Sequence, residues 1–408
     1  MTYYAQSHDG KSQGVQGVPA DESVLPWLEP LLPELIEFRR DLHRHPELSR
    51  HEFRTTDRLS AAGLKPRRLE PTGAVVDIGQ GPIALALRGD IDALPVLEET
   101  GLPWASTNHG VTHACGHDVH TTTMLGIALV LQAMHEHKPL NGTVRILFQP
   151  AEETMPGGAL DCIAQGVLEG VPRMLALHCD PRIEVGKIGT RIGAITSASD
   201  TVKIQLTGRG GHTSRPHLTE DLVFALAEIA VNVPAVLSRR VDVRSGVSVV
   251  WGQIQAGAAP NAIPASGFLW GTMRCLDREA WHAAGELLDE VVQQVAAPYG
   301  VQIEVTHFRG VPPVVNSESE TTLIETAARG ELGPDSVVLT PQSMGREDFA
   351  WFLQEIPGAM LRLGTHTPGS NGVDGEEHYD LHRGDYVLDE RALGYGIRVL
   401  AAAALRTL

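Results

Sequence analysis

Three stretches of the chain share one pattern, a short unbroken apolar run that ends directly in ionisable residues. They are IALALRGDID at 83–92, TVRILFQPAEE at 143–153 and RMLALHCD at 173–180. A continuous apolar run of strand length belongs to a strand covered on both faces, whereas a strand with one wet face alternates. The helical run TTTMLGIALVLQAM lies between the first two. Strand and helix alternate, and the pattern predicts an α/β fold with a doubly wound mixed sheet. Ligands bind such sheets outside the carboxyl ends of the strands, where Asp90, Asp92, Glu152, Glu153 and His178 would gather. Upstream, Leu35, Phe38 and Leu42 recur at helical spacing after Pro33, and Pro46 ends that helix just beyond His43 and His45.

The pattern changes between about Thr196 and Arg309. SDTVKIQLTG alternates, LTEDLVFALAEIAVNV is helical, GVSVVWGQIQ and GFLWGTMRC are strand-like, REAWHAAGELLDEVVQQVAAP is helical and VQIEVT alternates again. That order, β-α-β-β-α-β, predicts a ferredoxin-like α+β unit, a four-stranded sheet with helices on one face. Residues 196–309 are read as an inserted second domain. Residues 25–195 and 310–408 form the main domain, which the amphipathic run DERALGYGIRVLAAAALRTL closes, and 1–24, polar and Gly-rich, form a flexible extension.

Composition narrows the classes. A chain of 408 residues with 42% apolar and 20% charged side chains suits two globular domains. A formal charge of -17 without any Lys/Arg cluster argues against nucleic acid, whose binding rests on cationic side chains displacing counterions. The N-terminus lacks a charged-then-apolar signal pattern, and no stretch is read as approaching the roughly 20 apolar residues of a membrane span, so a cytoplasmic protein without a membrane partner is expected. Cys115, Cys162, Cys179 and Cys275 are scattered, as reduced thiols are.

The chemistry concentrates in HACGHDVH at 113–120. Taken alone, such small and polar residues serve equally well as the turn and cap of the following helix. Beside AEE and LALH, each ending a buried strand on the same sheet edge, they supply the imidazole, thiolate and carboxylate of a metal site. A nucleophilic Cys115 would instead be repelled by the neighbouring carboxylates. Adjacent Glu152 and Glu153 should also repel one another. A divalent cation resolves both conflicts: one glutamate ligates it, and the other takes a proton from water acidified beside it.

The strings RRDLHRHPELS, RGDIDALP, HACGHDVH, FQPAEE, GGHTSRPH, PNAIP, GTMR and GREDFAWF, in this order from about Leu35 onward, resemble those of the metal-dependent aminoacylase/carboxypeptidase family. The branch they resemble holds hippurate hydrolase, indole-acetyl-amino-acid hydrolases and N-acetyl-diaminopimelate deacetylase. The resemblance implies hydrolysis of N-acyl amino acids by a homodimer whose inserted domain pairs the subunits, with two divalent ions per subunit. It makes Cys115, His117, Glu153 and His178 metal ligands and Glu152 the general base, with Asp90 and Asp92 supporting them. Cys115 stands where other branches have a bridging aspartate. The last ligand is matched by His382 in LHRGDYVLDE, which lacks the usual proline; His366 and His378 are its rivals. His212, Asn261 and Arg274 match the family's substrate-binding residues. Locally, Phe268, Trp270, Thr272 and Arg274 share one strand face, and an arginine fork suits a carboxylate. Mixed N, O and S ligands suit Zn, Mn, Co or Ni alike. Two other readings remain: a dipeptidase or carboxypeptidase with the same machinery, and a non-catalytic metal-binding or sensing protein.

Overall fold

A computed structural model describes residues 23–369 and 379–408. The main sheet has eight strands in the spatial order Arg67–Arg68, Ala74–Gln80, Gly142–Gln149, Ile83–Asp90, Met174–Glu184, Gly358–His366, Ile188–Thr190 and Val337–Leu339. The four central strands, Gly142–Gln149 to Gly358–His366, run parallel to one another, and antiparallel pairings flank them, so the sheet is mixed. Successive side chains of the apolar runs enter different cores. Leu85, Leu87, Leu175, Leu177, Leu361 and Leu363 face one side, while Ala86, Met174, Ala176 and Met360 face the other. Helices His117–His137, Glu318–Leu332 and Arg391–Leu405 supply the first core, and Phe349 and Phe352 contribute to the second. Covering both faces is what allows these strands to be apolar throughout. Glycine sets the closest approach of helix to sheet: a Cβ at Gly89 would meet Met124 Cγ at 2.7 Å.

The second sheet is antiparallel throughout, in the order Ser248–Ala256, Ser266–Cys275, Ala198–Thr207 and Gln302–Val311. Helices Leu222–Arg240 and Arg278–Ala296 lie against one face, enclosing Val202, Ile204, Leu269, Leu226, Ile229 and Leu288. Along Ser266–Cys275, Leu269, Met273 and Cys275 are buried, while Phe268, Trp270, Thr272 and Arg274 look away from that core.

Two sequence expectations need correction. Helix Leu222–Arg240 spans 19 residues at a mean hydropathy of 1.6, long and apolar enough by length and composition to cross a membrane. Its Leu222, Leu226, Ile229 and Val233 rest on the sheet, and Val223, Phe224 and Val231 are exposed on the outer side. An apolar outer face added to an apolar inner one raised the helix to that hydropathy. The flexible extension was also drawn too long, because Val24 is fully buried in the main core. Residues 1–22 of that expectation lie outside the described residues.

Candidate metal centre

The site forms where loops leave the carboxyl ends of the parallel strands. After Ile83–Asp90 come Asp90 and Asp92; after Gly142–Gln149 the chain turns through Pro150 and Ala151, the latter at φ 58°, into Glu152 and Glu153; within Met174–Glu184 lies His178. Gly116, at φ 82°, links Cys115 to the start of helix His117–His137, and a Cβ there would come within 2.9 Å of Cys179 Sγ. A left-handed backbone conformation with no room for a side chain calls for glycine. His382, at φ 64°, is tied in by its own N–H, which donates to the Ala114 carbonyl at 2.8 Å.

Among the described residues five groups of nitrogen, sulfur and oxygen ligand atoms lie within 4.8 Å of one another, and three overlapping ones join the expected ligands: Cys115, His117 and His178; Cys115, Glu153 and His382; and His117, Glu152 and Glu153. The other two are Asp90, His117 and His120, and Glu152, Glu347 and Asp348. Cys115 belongs to the first two of the three, with its Sγ 3.4 Å from His178 Nε2. His178 donates Nδ1–H to the Cys179 carbonyl at 2.7 Å, which leaves Nε2 as the lone-pair nitrogen facing the thiol. Glu153 Oε1 lies 3.4 Å from His382 Nε2 and 3.8 Å from His117 Nε2. Both ring nitrogens of buried His117, and Oε1 of Glu153, lack a hydrogen-bond partner. His117 Nδ1 comes within 3.3 Å of Asp92 Oδ1, close but not aligned as a hydrogen bond. The other Asp92 oxygen accepts from Ser49 Oγ at 2.6 Å and from the Glu153 N–H at 3.0 Å, fixing the glutamate loop.

The electrostatics favour added positive charge. Burial opposes ionisation of His117, yet Asp90 and Cys115 outweigh it and lift its pKa well above the ordinary value. Cys115 and Glu153 raise that of His382 to about 10. Burial, with Glu347, Glu153 and Asp348 nearby, pushes Glu152 well above the carboxylate range. Protons collect here because anionic groups converge, and a multivalent cation answers the same demand. Orphaned buried nitrogens and oxygens beside a thiol fit a metal centre.

The third histidine of the octapeptide, His120, also stands within ligand distance of Asp90 and His117, but its nitrogens are taken by hydrogen bonds. His120 has Nδ1 2.5 Å from Asp90 Oδ1, and its Nε2 accepts from the Cys179 N–H at 2.8 Å, so both nitrogens are engaged. His366 belongs to none of the triads, and His378 lies outside the described residues. Arg274 reaches the site from the second sheet: it lines a cavity of about 280 Å³ with Cys115, Glu152, Glu153, His178 and His382, and its Nη1 donates to the Met344 carbonyl at 2.9 Å. His212 and Asn261 are not brought there. His212 sits exposed on a two-residue ribbon paired with Ala262–Ile263, its Nδ1 2.9 Å from Ser214 Oγ, and neither residue lines the cavity.

Sequence reasoning passed over the arginines and acids around the cavity. Buried Arg88 donates to Gln149, Asp90, Glu347 and Asp348 at 2.6–2.9 Å. Arg346 donates to the backbone carbonyls of Glu152, Glu153 and Thr154. Burial, only partly offset by Arg88, raises Asp348 to about 7, and its N–H donates to Glu152 Oε1 at 3.3 Å. The available signal was a lone charge inside an apolar strand run, as in ALALRGD and again in AMLRLG.

Residues 86–406 match the family model described as peptidase family M20/M25/M40. A protein of Rhodococcus jostii (strain RHA1), named a glutamate–cysteine ligase, is 47% identical over 375 residues; these cover 90% of this chain, which spans only 46% of that relative. The N-acetyl-L-cysteine deacetylase of Bacillus subtilis (strain 168) is 36% identical over 90% of this chain and 86% of its own. The crystal structure of the Bacillus subtilis YXEP protein, titled a dinuclear metal binding peptidase, superposes with a TM-score of 0.79 at 33% identity, covering 93% of this chain and 99% of that one.

Proposed function

The chain belongs to peptidase family M20/M25/M40, and from that premise we propose that it is a metal-dependent amidohydrolase that cleaves N-acyl amino acids into a carboxylate and a free amino acid. The observation that carries this reading is one thiol shared by two ligand triads, with a second glutamate beside the ligating one. Cys115, His117, Glu153, His178 and His382 would hold two divalent ions, Zn, Mn, Co or Ni. Such ions supply Lewis acidity at the scissile carbonyl and lower the pKa of water. Glu152 takes the proton of the attacking water and passes it to the departing nitrogen. Its buried acidic surroundings, which make it avid for a proton, suit that task. Asp92 and Asp90 orient His117 and His120. Arg274 grips the substrate's α-carboxylate with its planar fork. His212 and Asn261, exposed and away from the cavity of their own chain, would serve the oxyanion in a homodimer, where His212 of the partner subunit completes the site. The ligase name of the Rhodococcus relative is not carried over, since over half of that protein has no counterpart in this chain.

The decisive experiment is Glu152→Gln. Metal content stays at two ions per subunit and turnover of the best acyl amino acid falls by several orders of magnitude; near-normal turnover would remove Glu152 from the chemistry. A rate panel of benzoyl-, acetyl- and indole-acetyl-amino acids beside simple dipeptides separates this reading from a dipeptidase, which would prefer the dipeptides.

A further inference from the structure

One guanidinium at the cavity has no partner. Arg362 lies mid-way along Gly358–His366, opposite His178 on one neighbouring strand and Gly189 on the other. Residues in register across a sheet project to the same side, so Arg362 emerges beside His178. A Cβ at Gly189 would press on Arg362 Cβ at 3.1 Å, so glycine leaves the arginine its path. Arg362 lines the cavity of the metal triads and is only 6% exposed. Among the described residues its guanidinium makes no hydrogen bond and no ion pair.

The neighbouring acids, Asp180 and Glu347, are largely engaged, and of their oxygens only Oε2 of Glu347 is left without a hydrogen-bond partner among the described residues. Asp180 accepts from Arg182 at 2.8 and 3.0 Å through the side chain and at 3.0 Å through the backbone, while Glu347 accepts from Arg88 at 2.9 Å. The other cavity arginines are committed as well, Arg346 to three backbone carbonyls and Arg274 in part to Met344. A buried, unpaired guanidinium is costly, and the cost grows beside a centre that takes up cations. An anion arriving with the ligand removes it. A monocarboxylic N-acyl amino acid brings a single carboxylate, which Arg274 claims under the proposed function. Arg274 and Arg362 stand on different sheets and have different charged neighbours, Arg346 for the first and Asp180, Glu347, Cys115 and Arg182 for the second. Two separately placed guanidinium groups can engage two carboxylates of one substrate.

We propose that Arg362 is a specificity residue that binds a second carboxylate carried on the acyl side of the scissile amide. The preferred substrates are then monoamides of dicarboxylic acids, such as N-succinyl- or N-glutaryl-amino acids. The cleavage part of this inference rests on the proposed function; the binding part does not.

The test compares kcat/KM for N-glutaryl-, N-succinyl- and N-butyryl-alanine on the metal-loaded full chain and on its Arg362→Met and Arg362→Lys variants. Wild type favours the charged acyl groups by about 10- to 100-fold, the range of one charge-assisted, bidentate contact. In Arg362→Met that ratio collapses toward unity through KM, whatever the absolute rates, and Arg362→Lys keeps part of it. A wild type indifferent to the acyl charge, or a ratio that Arg362→Met leaves in place, overturns the proposal. A preference for N-acetylglutamate over N-acetylglutamine that depends on Arg362, without any acyl preference, overturns the acyl-side assignment. Calorimetry with glutarate and butyrate decides the binding step independently of turnover. If no acyl amino acid is cleaved but glutarate binds in preference and loses that preference in Arg362→Met, the hydrolase reading fails and the carboxylate subsite stands. If glutarate shows no preference, the subsite fails by itself.

Discussion

The carboxyl edge of the main sheet and the outer surface of the second sheet are built on opposite terms. At the first, Cys115, His117, Glu152 and His178 are buried, and the loop carrying Glu152 and Glu153 is held by Asp92 and Arg346. At the second, Val250 and Trp270 on the face of the sheet turned away from its helices, and Phe224 and Val231 on the outer side of a covering helix, are 45–70% exposed, and His212 is exposed on its ribbon. One region has polar groups waiting for an ion, the other apolar groups waiting for a surface. Chemistry that needs desolvated, fixed charges belongs to the first, while exposed apolar groups such as those of the second suit contact with another surface. Under the proposed function the two halves of the active site come from these two terms, in different subunits.

The largest expected effect tests the first region alone. Chelation with verified metal removal abolishes hydrolysis, and added divalent metal restores it; activity that survives removal would break the contrast at its root. Next comes the second region's contribution. Glu152→Ala and His212→Ala are each nearly inactive, yet subunits mixed by reversible unfolding recover roughly a quarter of wild-type activity, because half the dimers are hybrids and half of their sites are whole. A mixture shown to exchange subunits that stays inactive places His212 in its own chain's site.

A smaller effect, on stability, sharpens the comparison. Arg88→Met strips the shared cation from Asp90, Glu347 and Asp348, all buried, and should cost about 3–5 kcal/mol in denaturant unfolding. Val231→Ser on the exposed helix face should stay within about 0.5 kcal/mol for the isolated subunit. A further effect on stability is read from pH. Burial would raise Glu98, but His43, Thr100 and the Ser106 N–H outweigh it and hold its pKa at about 2 instead of 4.5. A depressed carboxyl contributes stability that is complete above the unfolded pKa and lost as pH falls toward the folded one. Unfolding free energy should therefore drop by about 2–3 kcal/mol between pH 4.5 and 2. Glu98→Gln should flatten that limb; an unchanged slope would refute the assignment.

Strand and helix order were legible in the second unit and in three strands of the main sheet, where period and run length report burial directly, while Arg67–Arg68, Ile188–Thr190 and Val337–Leu339 are too short to show a period. The run ALALRGD read as a doubly covered strand, and its residues alternate between two cores. The same smooth reading hid Arg88 and Arg362, each a single charge in an apolar run whose partners lie far off in the chain. The octapeptide pointed to metal chemistry but not to which histidines serve it: His113 and His117 both lack hydrogen bonds, but only His117 stands among the other ligand atoms, while His120 is consumed by Asp90 and the Cys179 backbone.

The sequence by itself determined the two layered units, the edge at which the acids collect and the kinds of side chain available there, since all of these follow from local periodicity and strand polarity. The tertiary structure alone decided which polar atoms are satisfied and which are left over. A hydrogen bond depends on atoms brought within about 3 Å from distant segments, which no local pattern encodes. The orphaned nitrogens of His117 and the unpaired fork of Arg362 exist only once the chain has closed around them.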